Sequence, residues 1–268
     1  MITILTPTYN RAYVLSRLYH SLLSQTTMGF EWVVIDDGSS DETQEMIEKW
    51  RGESPFPITY QYQKNRGKML ALNEGVKLSV GQHILIVDSD DALIKDAIKR
   101  IELNIREDPV DKGYIYRKAD FSGRIIGEEV QGNTLIMHPT EAGKLLKGDL
   151  AYVFPKHMME KYPFPEIKGE KFVPELYIWN KIGDEVAFVC YPQKAIYLCE
   201  YLEDGYSKNF DKTFRENPKS FLLFYKDQFF RETSLFGRAK ILIRIIQGYF
   251  YAVLKYLWRR DGNKQDSA

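Results

Sequence analysis

The stretch from Ile84 to Asp91 runs Ile84, Leu85, Ile86, Val87 and then Asp88, Ser89, Asp90, Asp91. Consecutive aliphatic residues of this kind suit a strand buried on both faces, as in a parallel sheet. Such strands carry ligand-binding groups at their carboxyl ends. Asp88 and Asp90 flank one residue, so an extended backbone turns both carboxylates the same way. Hard oxygen donors suit Mg2+ or Mn2+, which proteins usually hold through one or two carboxylates together with substrate phosphates. An Asp-rich turn would look the same in isolation. A second copy of the pattern weighs against that reading: Trp32 to Ile35 leads into Asp36, Asp37, Gly38, Ser39, Ser40 and Asp41. Ser39 and Glu42, three apart, read as a capping box, so a helix is expected to start there.

The elements that would position these groups alternate regularly. Strands are expected at 2–6, 31–35, 58–62 and 83–87, and helices at 41–50, 68–80 and 95–105. The first helix places Val14, Leu15, Leu18, Leu22 and Leu23 on one face. Repeated β-α units imply a parallel sheet with right-handed crossovers and helices on both faces. Further on, 113–118 and 124–130 read as a hairpin or two edge strands, and 140–146 as a short helix. A strand is expected at 151–155, a long loop at 162–174, a helix opening at Pro174, Glu175 and Leu176, and two strands at 186–190 and 195–199. From Pro218 the chain reads as helical almost to the end.

Composition narrows the class. The 268 residues are 44% hydrophobic and 14% aromatic, enough for a substantial core. Lys and Arg total 37, as do Asp and Glu. That balance gives no general attraction to nucleic acid, and no nucleic-acid partner is expected. The cysteines Cys190 and Cys199 form no C-x-x-C pair. They fit a reducing compartment better than a disulfide framework or a zinc site. No signal peptide is read at the N-terminus and no run of about 18 apolar residues occurs, so a cytoplasmic location is expected.

The order of motifs resembles the family 2 glycosyltransferases. The matching residues are Thr6 to Arg11 (Thr-Pro-Thr-Tyr-Asn-Arg), Val34 to Asp41, Asn65 to Lys68 with Ala71, Asn73 and Gly75, and Asp88 to Asp91. The match is strong to about residue 105 and weaker beyond, through Glu170 to Glu175 and Glu203 to Ser207. The resemblance implies an α/β GT-A fold, a Rossmann-like, mostly parallel sheet flanked by helices. It also implies inverting transfer of a sugar from a nucleotide-sugar donor, usually assisted by Mn2+ or Mg2+. By the same resemblance, Thr6, Tyr9 and Arg11 meet the nucleoside and Asp36 accepts from a uracil edge, so a UDP-sugar is expected. Lys68 supplies a cation to the donor and Asp90 binds the metal. Asp88 touches ribose, the donor sugar or the metal, and Ser207 sits near the diphosphate. Glu175 matches the catalytic base, with Glu170 as the alternative; Leu176 stands where many relatives have Asp.

Several residues have plainer readings. Asp37 reads as turn chemistry and Asp91 as the cap of the next helix. His20, His83, His138 and His157 are scattered, and of these His138 is the one to check. A processive Q-x-x-R-W motif is missing, so single-sugar transfer is expected.

The domain reading is a catalytic domain over 1–210, with a nucleotide-binding half (1–105) and an acceptor half (106–210). A helical extension over 211–268 follows. Residues 235–260 contain no Asp or Glu. Their apolar residues, from Ile241 to Trp258, and the cations Lys240, Arg244, Lys255 and Arg259 fall on opposite sides at helical spacing. Such a helix fits an anionic membrane surface on the inner face of the cell membrane, or packing on the catalytic domain or a second subunit. The function expected is transfer of one sugar to a saccharide or lipid-linked acceptor in surface polysaccharide synthesis. A nucleotide-sugar-binding scaffold and a nucleotidyltransferase are the alternatives. The loop Thr6 to Arg11 has no glycine, which disfavours the last.

Overall fold

The computed structural model describes residues 1–107, 111–132, 134–200 and 209–265, with side chains in the last helix described to Leu257. The first region follows the expected alternation: β1 (Ile2–Thr8), α1 (Ala12–Leu23), β2 (Phe30–Asp36), α2 (Thr43–Glu53), β3 (Ile58–Tyr62), α3 (Lys68–Leu78) and β4 (His83–Ile86). A two-residue strand β5 (Ala92–Leu93) precedes α4 (Ala97–Glu107). Then come β6 (Gly113–Ala119), β7 (Leu135–Ile136), α5 (Pro139–Leu146), β8 (Leu150–Pro155), α6 (Lys156–Lys161), α7 (Leu176–Gly183) and β9 (Phe188–Leu198). The chain continues with α8 (Phe210–Glu216), α9 (Pro218–Arg231) and α10 (Leu235–Gln265).

The strands form one mixed sheet in the order β3-β2-β1-β4-β8-β6-β9-β5, with β7 paired to β9. The first four strands in this order are mutually parallel, while β8 runs antiparallel to both β4 and β6. Every residue of β1 and β2 is buried, as sheet strands covered on both faces must be. Beneath them α1 contributes Leu15, Leu18 and Leu22 to a core that includes Trp32, Trp50 and Ile101. Tyr19 stacks on Trp50 with ring centroids 4.3 Å apart.

Two expectations in the second region need correction. The strand expected at 124–130 amounts to one bridge, Ala119 to Ile125. Arg117, 1% exposed, takes the backbone carbonyls of Ile126, Glu128 and Pro192 instead. The two strands expected around Pro192 are one strand, β9. Its register against β6 jumps from Tyr116–Tyr191 to Arg117–Ala195, so a bulge absorbs the proline.

The chain divides into two compact units. The first is Met1–Phe164 with Ile178–Glu200; the second is Pro165–Tyr177 with the described part of the chain beyond 201. In the second unit the carboxylate of Glu170 accepts the backbone N–H groups of Lys219 (3.0 Å) and Ser220 (2.8 Å) and the Ser220 hydroxyl (2.6 Å). Asn217 Oδ1 accepts from the N–H groups of Lys171 and Phe172. The Glu170 bonds satisfy donors of the first turn of α9, which have no partner inside the helix, and with the Asn217 bonds they tie the 165–175 loop to it.

The faces of α10 also differ from expectation. Its cations do not all line an outward polar face. Lys255 Nζ donates to the carbonyls of Gly169 (2.9 Å) and Glu216, with Glu170 Oε1 at 3.9 Å. Arg244 bonds Gln247 and lies over the Phe210 ring. Gly248 is buried, and a Cβ there would meet Leu222 Cδ2 at 2.9 Å, so the glycine lets α10 approach α9 closely. The outward face is apolar, as described below.

Candidate active site

The carboxyl ends of β1, β2 and β4 bring the sequence motifs together. Asp37 N–H donates to the Thr8 carbonyl at 2.8 Å, closing the end of β2 onto β1. Asn10, at φ 51°, donates its N–H to Ser39 Oγ and accepts from the Ser40 N–H with its side-chain oxygen. Asp41 accepts from the N–H groups of Ala12 and Thr43 and from the Thr43 hydroxyl. The start of α2 is therefore held by Asp41; Ser39, expected as its cap, instead holds the loop after β1.

Asp37 anchors the third motif. Its Oδ1 accepts from Gln63 Nε2 and the Arg66 N–H, and its Oδ2 from the Gly67 N–H at 2.7 Å. Gly38 (φ +94°) packs against this loop: a Cβ on it would come within 2.9 Å of the Asn65 nitrogen. Gly67 (φ +98°) then opens α3. Lys68, the first residue of α3, is thus aimed by a turn that Asp37 fixes. Its Nζ lies 2.6 Å from Asp88 Oδ1.

Asp88 and Asp90 differ electrostatically. Burial opposes ionisation of Asp88, but Lys68, with Lys118 and Arg11, holds its carboxyl below the usual range. Burial and the neighbouring Asp88 charge push Asp90 up. Asp90 is therefore a hard oxygen donor short of positive charge, beside a carboxylate already committed to Lys68. Its backbone carbonyl accepts from Arg17 at 3.2 Å.

Two residues from the second half of the sheet complete the turn. Tyr197, on β9, accepts the Asp88 N–H with its phenol oxygen at 2.9 Å. Lys118, on β6, stacks over the Tyr197 ring at 4.0 Å and lies 4.0 Å from Asp91 Oδ2. Asp91 does not cap a helix, because β5 and a turn separate it from α4. It is 5% exposed, and burial pushes its carboxyl up to about 7.

The other expected residues fall as follows. Tyr9 is 49% exposed just after β1. Arg11 bonds the Tyr13 hydroxyl, and its charge reaches Asp88 and Asp90. Thr6 is a correction: it lies inside β1, fully buried, and its hydroxyl accepts from the Trp32 indole N–H at 3.0 Å. The strand runs two residues further than expected, so Thr8 occupies its end. Thr8 Oγ1 is buried without a hydrogen-bond partner and pairs in register with Asp36. Only the exact strand end identifies that residue, and periodicity does not fix it. Asp36 is 1% exposed and accepts from the Ser39 N–H (2.7 Å) and the Tyr60 hydroxyl (2.9 Å). That uses two of about four lone-pair sites on a carboxylate. Ser207 lies outside the described residues. Glu175 directly precedes α7 in the second unit, where Glu170 is engaged with α9. His138 is a helix cap: its Nδ1 accepts the Thr140 N–H at the start of α5.

The residues present fit a divalent cation of the Mg2+ or Mn2+ kind. Asp90 and Asp88 offer oxygen only, and one or two carboxylates suffice when phosphates supply the remaining ligands. Among the described residues no group of three or more His, Cys, Asp or Glu side chains could hold a metal alone.

A β1–β4 parallel edge bearing these turns, joined to an antiparallel β8-β6 extension, is the GT-A class of fold. The chain belongs to glycosyl transferase family 2, whose model matches residues 3–164. It is similar to an uncharacterized glycosyltransferase of Rickettsia felis, 36% identical over 107 residues, 40% of this chain and 17% of that protein. It is also similar to the poly(ribitol-phosphate) beta-N-acetylglucosaminyltransferase TarP of Staphylococcus aureus, 31% identical over 157 residues, 56% of this chain and 43% of that protein. The chain thus spans less than half the length of these curated relatives. In fold it is similar to S. aureus TarS 1–349 in complex with UDP-GlcNAc, with TM-score 0.67 and 19% identity, covering 93% of this chain and 72% of that one. The mannosyltransferase PcManGT of Pyrobaculum calidifontis, in complex with GDP-Man and Mn2+, matches with TM-score 0.62 and 17% identity over 96% of this chain and 75% of that one.

Proposed function

We propose that the protein is an inverting, metal-dependent glycosyltransferase that moves one sugar from a UDP-sugar to a saccharide on a lipid-linked carrier. One observation carries the reading: the turns after β1, β2 and β4 and the start of α3 meet at one sheet edge, where Lys68 is aimed at Asp88 beside an undercompensated Asp90. Carboxyl strand ends are where open α/β sheets bind nucleotides.

In this reading Thr8 and Tyr9 meet the nucleoside, with Asp36 available to the base edge through its remaining acceptor sites. Arg11 and Lys68 bring positive charge to the donor side. Asp90, with Asp88, would hold Mn2+ or Mg2+, and such an ion offsets charge on a leaving diphosphate. Glu175 accepts the proton of the acceptor hydroxyl as its oxygen bonds the anomeric carbon. The bond from that carbon to the diphosphate breaks, and the nucleoside diphosphate leaves with the electron pair. Glu175 is preferred to Glu170 because it matches the family's base position, while the Glu170 carboxylate serves the start of α9 with three hydrogen bonds.

A surface-polymer acceptor is supported by TarP and by the poly-beta-1,6-N-acetyl-D-glucosamine synthase of S. aureus, 33% identical over 108 residues. The test is calorimetry with UDP, GDP and CDP in Mn2+, followed by donor turnover. UDP is expected to bind tightest. Tighter GDP binding overturns the UDP choice, and binding without hydrolysis or transfer favours the scaffold reading.

A further inference from the structure

The sugar-transfer reading leaves the outward face of α10 unexplained. This helix has 31 residues, about 46 Å at 1.5 Å per residue. Leu242, Ile246, Tyr249, Phe250, Val253 and Leu257 are each 47–61% exposed. At 100° per residue they share an arc of about 100°. Leu235 and Phe236 extend it at the N-terminal end, 84% and 72% exposed. Scattered exposed apolar residues need no explanation, but a contiguous stripe marks an interaction surface.

We propose that this face lies in the interfacial layer of an anionic phospholipid bilayer. The charge pattern selects that partner over a second copy of the chain. Residues 233–260 hold no acid, whereas helices that pair along an apolar seam usually match opposite charges beside it. Over this stretch a second copy would bring only cations, the nearest acids being Glu232 and Asp261 at its two ends. The exposed Arg238 and Lys240 lie on either side of the stripe at its N-terminal end, where they complement anionic headgroups. The aromatic residues on the stripe suit the headgroup boundary. No described helix is long and apolar enough to cross a membrane, so the helix lies on the surface. Lys255 and Arg244 are turned onto their own unit. Arg238 donates to the Glu232 carbonyl and lies over Phe229, and Lys240 lies over Phe236, yet both stay exposed. The apolar stripe therefore supplies most of the attraction, and these two cations supply the preference for anionic lipid.

Flotation of the full-length protein with phosphatidylcholine vesicles, with and without phosphatidylglycerol, tests this. Binding to the anionic vesicles at low salt is expected, and weakening as salt rises. The double variant I246D/V253D should lose it. The variant R238E/K240E, which leaves the stripe intact, should weaken anionic binding at least about tenfold. Circular dichroism and UDP binding should be unchanged in both, so failure here is separable from failure of the sugar-transfer reading. No flotation with anionic vesicles, or equal flotation with neutral ones, overturns the proposal. A dimer in lipid-free solution that I246D/V253D breaks, without flotation, assigns the face to a second copy.

Discussion

Lys68 Nζ sits 2.6 Å from Asp88 Oδ1, joining the first residue of α3 to the turn after β4. Both side chains are mostly shielded, at 18% and 33% exposure, so the pair exceeds an open surface ion pair in strength. Removing the ammonium in Lys68→Met should weaken UDP binding roughly tenfold, equivalent to ~1.4 kcal/mol, near the low end for charge-assisted hydrogen bonds. Calorimetry measures it. The lowered Asp88 carboxyl stabilises the fold above about pH 4, and that contribution disappears as pH falls through the folded value. Lys68→Met should therefore lose stability at neutral pH and progressively less as pH falls below about 4; a loss that does not change with pH would refute the charge pairing.

Asp90→Ala should abolish the Mn2+-dependent part of UDP binding and lower turnover by at least about 10²-fold, the scale of losing one electrostatic stabiliser. Full activity of the unsubstituted protein in excess chelator would remove Asp90 from this role.

The two glutamates should separate cleanly. Glu175→Gln is expected to keep stability and donor binding while transfer falls by roughly 10²–10⁴-fold. Glu170→Gln should cost about 0.5–2 kcal/mol of stability through the start of α9, with transfer per folded molecule retained. The reverse pattern in urea titrations and transfer assays would exchange the roles.

Asp91 gives a pH signature of opposite sign to Asp88. Its folded carboxyl, raised to about 7 chiefly by burial, binds a proton more tightly than in the unfolded chain. That stabilisation is complete below about pH 4 and is lost as pH rises towards the folded value. Asp91→Asn should flatten the decline in stability between about pH 4 and 7. A decline identical to that of the unsubstituted protein would show that Asp91 ionises normally.

The turns at the carboxyl ends of β1, β2 and β4 were legible in sequence because their signals are local. Aliphatic runs end in Asp36 and Asp88, and Lys68 follows a glycine that can take φ +98°. The misreadings share a cause: a side chain met a partner distant in sequence. Trp32 claims Thr6, and Arg117 draws in carbonyls that a strand at 124–130 would have used. Sequence resemblance favours Glu175 over Glu170 but does not show what Glu170 does; its bonds to Lys219 and Ser220, about fifty residues on, appear only in the fold. On α10, helical spacing separated apolar from basic residues correctly, but which side faces its neighbours depended on Gly248 and Lys255.

Tyr197 has a bearing on how the site is assembled. The bonds that join the turns after β1 and β2 and the loop before α3 link residues about thirty apart, as in Asn10–Ser39 and Asp37–Gly67. The phenol that receives the Asp88 N–H lies 109 residues downstream. A nascent chain emerging from the ribosome can therefore knit the first three turns from its opening seventy residues or so. The aspartate turn, held earlier by Lys68 and Arg17, gains its bond to Tyr197 only after β9 has been synthesised and has docked beside β6. Full closure of the aspartate turn is thus tied to completion of the sheet.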